Sequence, residues 1–63
     1  MEELVTLSEA ARRLNTSEAT LRWWRHGGLG PQSFRAGRRV MYRAADLERW
    51  VEDLIAADNA RRL

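Results

Sequence analysis

Two helix-start signals stand eleven residues apart near the front of this chain, at Thr6 and Ser17, and they leave little freedom in how it folds. Thr6-Leu7-Ser8-Glu9 has capping-box spacing, with Thr6 as N-cap and Glu9 reaching back to the Thr6 amide. Leu7, Ala10, Ala11 and Leu14 then follow at i, i+3, i+4 and i+7, one apolar face of an amphipathic helix over about residues 7–14. Arg12 and Arg13 fall on its other side. Asn15-Thr16 breaks the pattern with turn chemistry. Ser17 is a good N-cap for a second helix over about residues 18–26, with Leu21 and Trp24 facing inward. Gly27-Gly28 ends it, one glycine supplying a left-handed cap. Leu29-Gly30-Pro31 is a tight exit from which helix cannot resume at once.

Before these helices, Met1 to Val5 reads as a short lead-in with one extended segment. After them, Phe34, Val40 and Tyr42 alternate with polar neighbours around Ala36-Gly37. That pattern predicts a β-hairpin over about 33–42, with those three residues on the face that rests on the helices. A third helix is expected over about 44–57. Leu47, Trp50, Val51, Leu54 and Ile55 form its apolar stripe, and Asp46 in its first turn complements the helix dipole. Tyr42-Arg43 offers it no good capping side chain, and residues 58–63 read as a tail. The expected fold class is mainly α with a small β-hairpin: a single winged helix-turn-helix domain over residues 1–63, three helices plus a two-stranded wing.

A domain of 63 residues buries only about 60% of its unfolded surface, so one well-packed core is all it can hold. Charge is distributed unevenly over it. Between Arg12 and Arg43 eight arginines face one acid, Glu18, a formal +7. The first eleven residues carry three acids and no base; from Ala44 onward five acids face three arginines. A centre of this kind suits a polyanion. All eleven basic residues are arginine, whose planar fork pairs bidentately with phosphates and guanine edges.

Several functions are excluded. With no cysteine and one histidine, His26, there is no thiolate nucleophile, no Cys-ligated zinc and no cluster of metal ligands. No catalytic set has useful spacing, and Gly27-Gly28-Leu29-Gly30 lacks the Lys-Ser/Thr that completes a phosphate loop. No enzyme activity, metal or cofactor is expected. No apolar run approaches the ~20 residues of a membrane span, and the N-terminus lacks a signal peptide's basic start and apolar stretch. A cytoplasmic protein is expected, with no membrane partner.

In order along the chain, the motifs resemble the MerR-type winged-helix superfamily, especially its small excisionase branch. The resemblance rests on Leu7-Ser8-Glu9-Ala10-Ala11 before Leu14, then Thr16-Ser17 before Thr20-Leu21-Arg22-Trp23-Trp24. Gly28-Leu29 with Pro31, Gly37-Arg38-Arg39 with Tyr42, and Asp46-Leu47 with Trp50 complete it. MerR regulators usually continue into a long dimerisation helix, whereas this chain stops at Leu63, so the closer likeness is to stand-alone phage excisionases, or recombination directionality factors. The resemblance implies a bacterial host cell or its nucleoid as the setting. It implies binding and bending of duplex DNA, with further copies on adjacent sites, and help to a tyrosine integrase in running excision instead of integration. The same fold also serves small MerR-like transcriptional regulators on one operator, and the residues do not separate the two.

For the recognition helix the candidate DNA contacts are Ser17, Glu18, Ala19, Thr20, Arg22, Trp23 and Arg25. Arg22 and Arg25 lie one turn apart and suit phosphates or base edges, although Glu18 can also pair with Arg22 at i+4. Glu18 itself has two readings: it accepts from a cytosine amine, or it is a helix-start acid serving the dipole. For Trp23, the resemblance implies an indole N–H given to a phosphate; plain packing is the alternative. Arg35, Arg38 and Arg39 flank the hairpin turn, where a wing can lie over a minor groove or merely guard a sheet edge with charge. Arg12, Arg13 and Arg43 are candidates for backbone contacts. The basic centre and the acidic C-terminal segment further predict a head-to-tail contact between copies, one that does not close on itself.

Overall fold

In the computed structural model, which describes residues 1–62, the elements run β1 (Leu4–Thr6), α1 (Leu7–Arg13), α2 (Glu18–His26), β2 (Ser33–Ala36), β3 (Arg39–Arg43) and α3 (Ala44–Arg61). The three helices and the antiparallel sheet, in the order β1-β3-β2, make a mainly helical winged helix-turn-helix. Among the described residues no helix is long and apolar enough to cross a membrane.

Both helices of the helix-turn-helix start and stop by local chemistry. Thr6 Oγ1 accepts from the Glu9 amide at 3.1 Å, and Ser17 Oγ accepts from the Thr20 amide at 3.0 Å. Only half of the expected capping box forms, because the Glu9 carboxylate goes to Arg12 and Arg13 instead of to the Thr6 amide. Charge-assisted bonds to guanidinium outweigh one bond to a neutral amide. The two C-termini share one design. Asn15 N–H donates to the Arg12 carbonyl and Thr16 N–H to that of Ala11; Gly28 and Leu29 repeat this on Arg25 and Trp24. These are Schellman motifs, each with its left-handed residue after the cap: Asn15 at φ 56° and Gly28 at φ 74°.

Val5, Leu7, Ala10, Ala11, Leu21, Tyr42 and Leu47 form the core, with Leu14, Trp24 and Val40 packed on it. Leu21 and Tyr42 are its largest fully enclosed side chains. The sheet differs from the expected two-stranded wing. The lead-in supplies a third strand, β1, which pairs Val5 with Tyr42 along the inner edge of β3. Burying Val5 while Leu4 stays exposed gives this short strand its alternation. The β2–β3 register also corrects the hairpin. Phe34 lies across from Met41, while Arg35 and Ser33 lie across from Val40 and Tyr42. Because side chains alternate between faces, Phe34 shares the outer face with Met41 and not the helix-facing side. The connecting loop is Gly37-Arg38, with Gly37 at φ 65° meeting the positive-φ requirement of a two-residue hairpin.

The third helix also departs from expectation. It continues to Arg61, so most of the predicted tail is helical, and Leu63 lies outside the described residues. Leu54 and Ile55, expected on the core face, are 50% and 55% exposed. Only the first two turns of α3 lie over the body. The rest projects from it, which stretches the molecule to 44 Å along its longest axis.

Asn15 gives a direct test of how the turn is made. Replacing it with Ala puts an ordinary side chain at φ 56° and is expected to destabilise the fold by roughly 1 kcal/mol in urea unfolding, whereas Asn15→Gly leaves stability within a few tenths. Equal stability for all three proteins would contradict the role of this residue.

Candidate nucleic-acid interface

The core fixes which side of α2 looks outward. Leu21 is wholly buried, and Trp24 stacks on Trp50 with ring centroids 5.4 Å apart and planes tilted by 46°. Gly30 keeps this arrangement close, since a Cβ there would sit 3.1 Å from Trp24 Cβ. The opposite face is therefore free: Ala19, Arg22, Trp23 and His26, at i, i+3, i+4 and i+7, are all exposed. Trp23 is 69% exposed, so core packing does not account for it.

At the front of α2 the hydroxyls are already engaged. Ser17 Oγ donates to Thr20 Oγ1 at 2.8 Å while capping the helix. Beyond them, Glu18 and Arg22 line one wall of a cleft of about 510 Å³, Arg38 and Arg39 of the wing line another, and Ser8 at the start of α1 closes it. Arg22 and the adjacent pair Arg38-Arg39, far from it in sequence, thus converge beside the opening turn of α2. Arg25 points to the sheet instead, where its Nε donates to Ser33 Oγ at 3.0 Å and ties the helix to β2. Burial pushes the neighbouring Tyr42 hydroxyl pKa upward, and the Arg25 charge partly opposes that.

Apart from Arg25, the eight central arginines divide into two groups. Arg12, Arg13 and Arg43 are held by the acidic N-terminus. Arg12 forks onto Glu9 at 2.6 and 2.9 Å; Arg13 meets Glu9 at 2.9 Å and Glu3 at 2.6 Å; and Arg43 meets Glu2 at 2.7 Å. Three acids thus offset three bases on one side of the molecule. Arg35, Arg38 and Arg39 are exposed and form no ion pair among the described residues. Arg22 has only a loose contact with Glu18 at 3.3 Å. The Glu9 network was readable in principle from the three- and four-residue spacings to Arg12 and Arg13. The contacts of Glu2 and Glu3 needed the β1–β3 pairing, and Ser8 at the cleft needed the wing's position.

Hydrogen bonds from Arg12, then from Arg13, lower the Glu9 pKa from an ordinary 4.5 to about 2, and Arg13 likewise lowers that of Glu3. A carboxylate whose pKa falls on folding stabilises the fold at pH values above its unfolded pKa, and that contribution fades as pH falls through the folded value. Thermal unfolding of the native protein is therefore expected to drop between pH 4.5 and pH 2 more steeply than that of Glu9→Gln, with the difference reduced in high salt because the groups are exposed. Parallel melting curves for the two proteins across that range would contradict the network.

No curated protein matches this chain, and no solved structure does. A family model described as a helix-turn-helix domain matches residues 4–54, from the first strand through the point where α3 leaves the body. Proteins built on this family's domain are typically non-enzymatic. The match takes in α1, α2, the wing and the first half of α3, and the chain belongs to the helix-turn-helix domain family, as a small DNA-binding protein of that kind.

Proposed function

We propose that this protein binds specific duplex-DNA sites as an excisionase, bending them and turning a tyrosine integrase toward prophage excision. The observation that carries the DNA contact is the cleft beside the first turn of α2, where Arg22, Arg38 and Arg39 meet without a strong acidic partner. In this reading α2 enters the major groove. Ser17, Glu18, Ala19 and Thr20 lead, and Arg22, Trp23 and Arg25 flank them. The wing then carries Arg35, Arg38 and Arg39 to the adjacent backbone and minor groove. Arg12, Arg13 and Arg43 stay outside the contact set, because phosphates there would have to displace Glu9, Glu3 and Glu2. The excision role rests on the resemblance to excisionases. It places the protein in the cytoplasm of a bacterial host, at the nucleoid, with other copies of itself on neighbouring sites.

Binding to duplex DNA across a salt series tests the contact. With about six phosphates neutralised, log K is expected to fall with log salt at a slope near −5, and the double variant Arg38→Ala, Arg39→Ala to lower that slope by about 2. A flat response would overturn the DNA reading in favour of an acidic protein partner. Footprinting of the DNA around its own gene tests the role. Several adjacent protected sites beside an integrase attachment region are expected, whereas a single protected operator would replace the excisionase with a MerR-like regulator.

A further inference from the structure

Arg25 is turned toward the body by its place on α2. It follows the buried Leu21 by four residues, about 40° round the helix from the core direction, whereas Arg22 lies about 100° from it and Trp23 about 200°. Its Nε donates to Ser33 Oγ at 3.0 Å, and it forms no ion pair among the described residues. Ser33 is itself firmly placed. It pairs with Tyr42 across β2 and β3, and Tyr42 pairs with Val5 across β3 and β1, so the three make one rung of the sheet. The other two members of that rung, Val5 and Tyr42, are buried in the core.

The covalent route between the same two points is slack. Residues 27–32 join α2 to β2, and three of these six are glycine, with Gly28 and Gly30 at positive φ. Glycine loses more freedom on ordering than any other residue, so this loop does not by itself hold the hairpin at one distance from α2. Among the described residues the Arg25–Ser33 bond is the one side-chain hydrogen bond between α2 and the hairpin. It closes the loop where the hairpin begins. Arg35, two residues on, lies on the same face of β2 as Ser33, and the strand then runs to the tip at Gly37-Arg38. A shift at Ser33 is carried along the paired strands to Arg38 and Arg39 and changes their distance from Arg22.

We propose that Arg25 is a positioning residue: it serves DNA binding by strapping the wing to the recognition helix through Ser33, not by touching a phosphate. The strap belongs to the free protein; its effect on affinity rests on the proposed DNA contact. With it in place, Arg22 on α2 and Arg38 and Arg39 on the wing meet the duplex at one fixed spacing, and ordering the wing falls on folding and not on binding.

Ser33→Ala removes the acceptor and no charge, and Ser33→Thr restores a hydroxyl. In the free protein at mildly acidic pH, exchange of the Arg25 Nε–H with water is expected to quicken several-fold in Ser33→Ala, and amide relaxation at residues 36–39 to show a less ordered tip. Ser33→Thr should match the native protein in both. Unchanged exchange, or an unchanged tip, would overturn the strap whether or not the protein binds DNA. On duplex DNA, Ser33→Ala and Arg25→Gln are each expected to bind about fivefold more weakly with the salt slope unchanged. The double variant should bind no more weakly than Arg25→Gln, and Ser33→Thr as tightly as the native protein. Circular dichroism confirms that each variant is folded. A slope lowered by about 1 in Arg25→Gln, with Ser33→Ala binding like the native protein, would overturn the positioning role and make Arg25 a phosphate contact. A flat salt response in the native protein would instead overturn the DNA reading, with the strap still decided by exchange and relaxation.

Discussion

The seating of Leu21 in the cluster that holds Ala10 and Ala11 governs what the rest of the molecule can do. Two alanines on α1 leave room for the second helix to come close, and a wholly buried leucine fixes its rotation. Once that rotation is set, Trp24 must face Trp50, and Ala19, Arg22, Trp23 and His26 must face solvent. The turn between the helices depends on the same constraint. It is four residues long, Leu14 to Ser17, and works only because Asn15 accepts a left-handed backbone and lets two amides close over the end of α1.

Electrostatics then sorts the arginines. A strongly basic centre would repel itself, and the acidic N-terminus relieves this on one side through Glu2, Glu3 and Glu9. That pairing needs β1, since the third strand brings Glu2 to Arg43 and Glu3 to Arg13. The sheet therefore does more than carry a wing. It leaves Arg35, Arg38 and Arg39 without an ion pair among the described residues and Arg22 with only its 3.3 Å contact to Glu18, beside the exposed turn of α2 and the hairpin tip. Exposed pairs of this kind contribute little to stability. Their larger effect is on which arginines remain available to a polyanion.

What could be read from the sequence was local. Thr6, Ser17, Asn15 and the Gly27-Gly28 pair carry their own capping and turn chemistry, so α1, α2 and the turn between them were legible, as was the hairpin around Gly37. What depended on partners distant in the chain was not. Alternation alone placed Phe34 with Val40 and Tyr42, but the register that puts it opposite Met41 is set by the loop at Gly37-Arg38. An apolar stripe along α3 looks the same whether the body covers it or ends beneath it, so Leu54 and Ile55 read as core. Net charge by segment likewise could not tell an arginine held by Glu9 from one left free at Arg38.

Titration of the isotopically labelled protein with duplex DNA, followed by backbone amide and Trp23 indole resonances, is the most direct measurement. If the surface beside α2 is the binding face, the large shifts fall on residues 17–25, on the hairpin tip at 36–39 and on the Trp23 side chain, while Arg12 and Arg13 move little. Shifts centred on α1 and the Glu9 network, with α2 and the hairpin tip unmoved, would contradict the account.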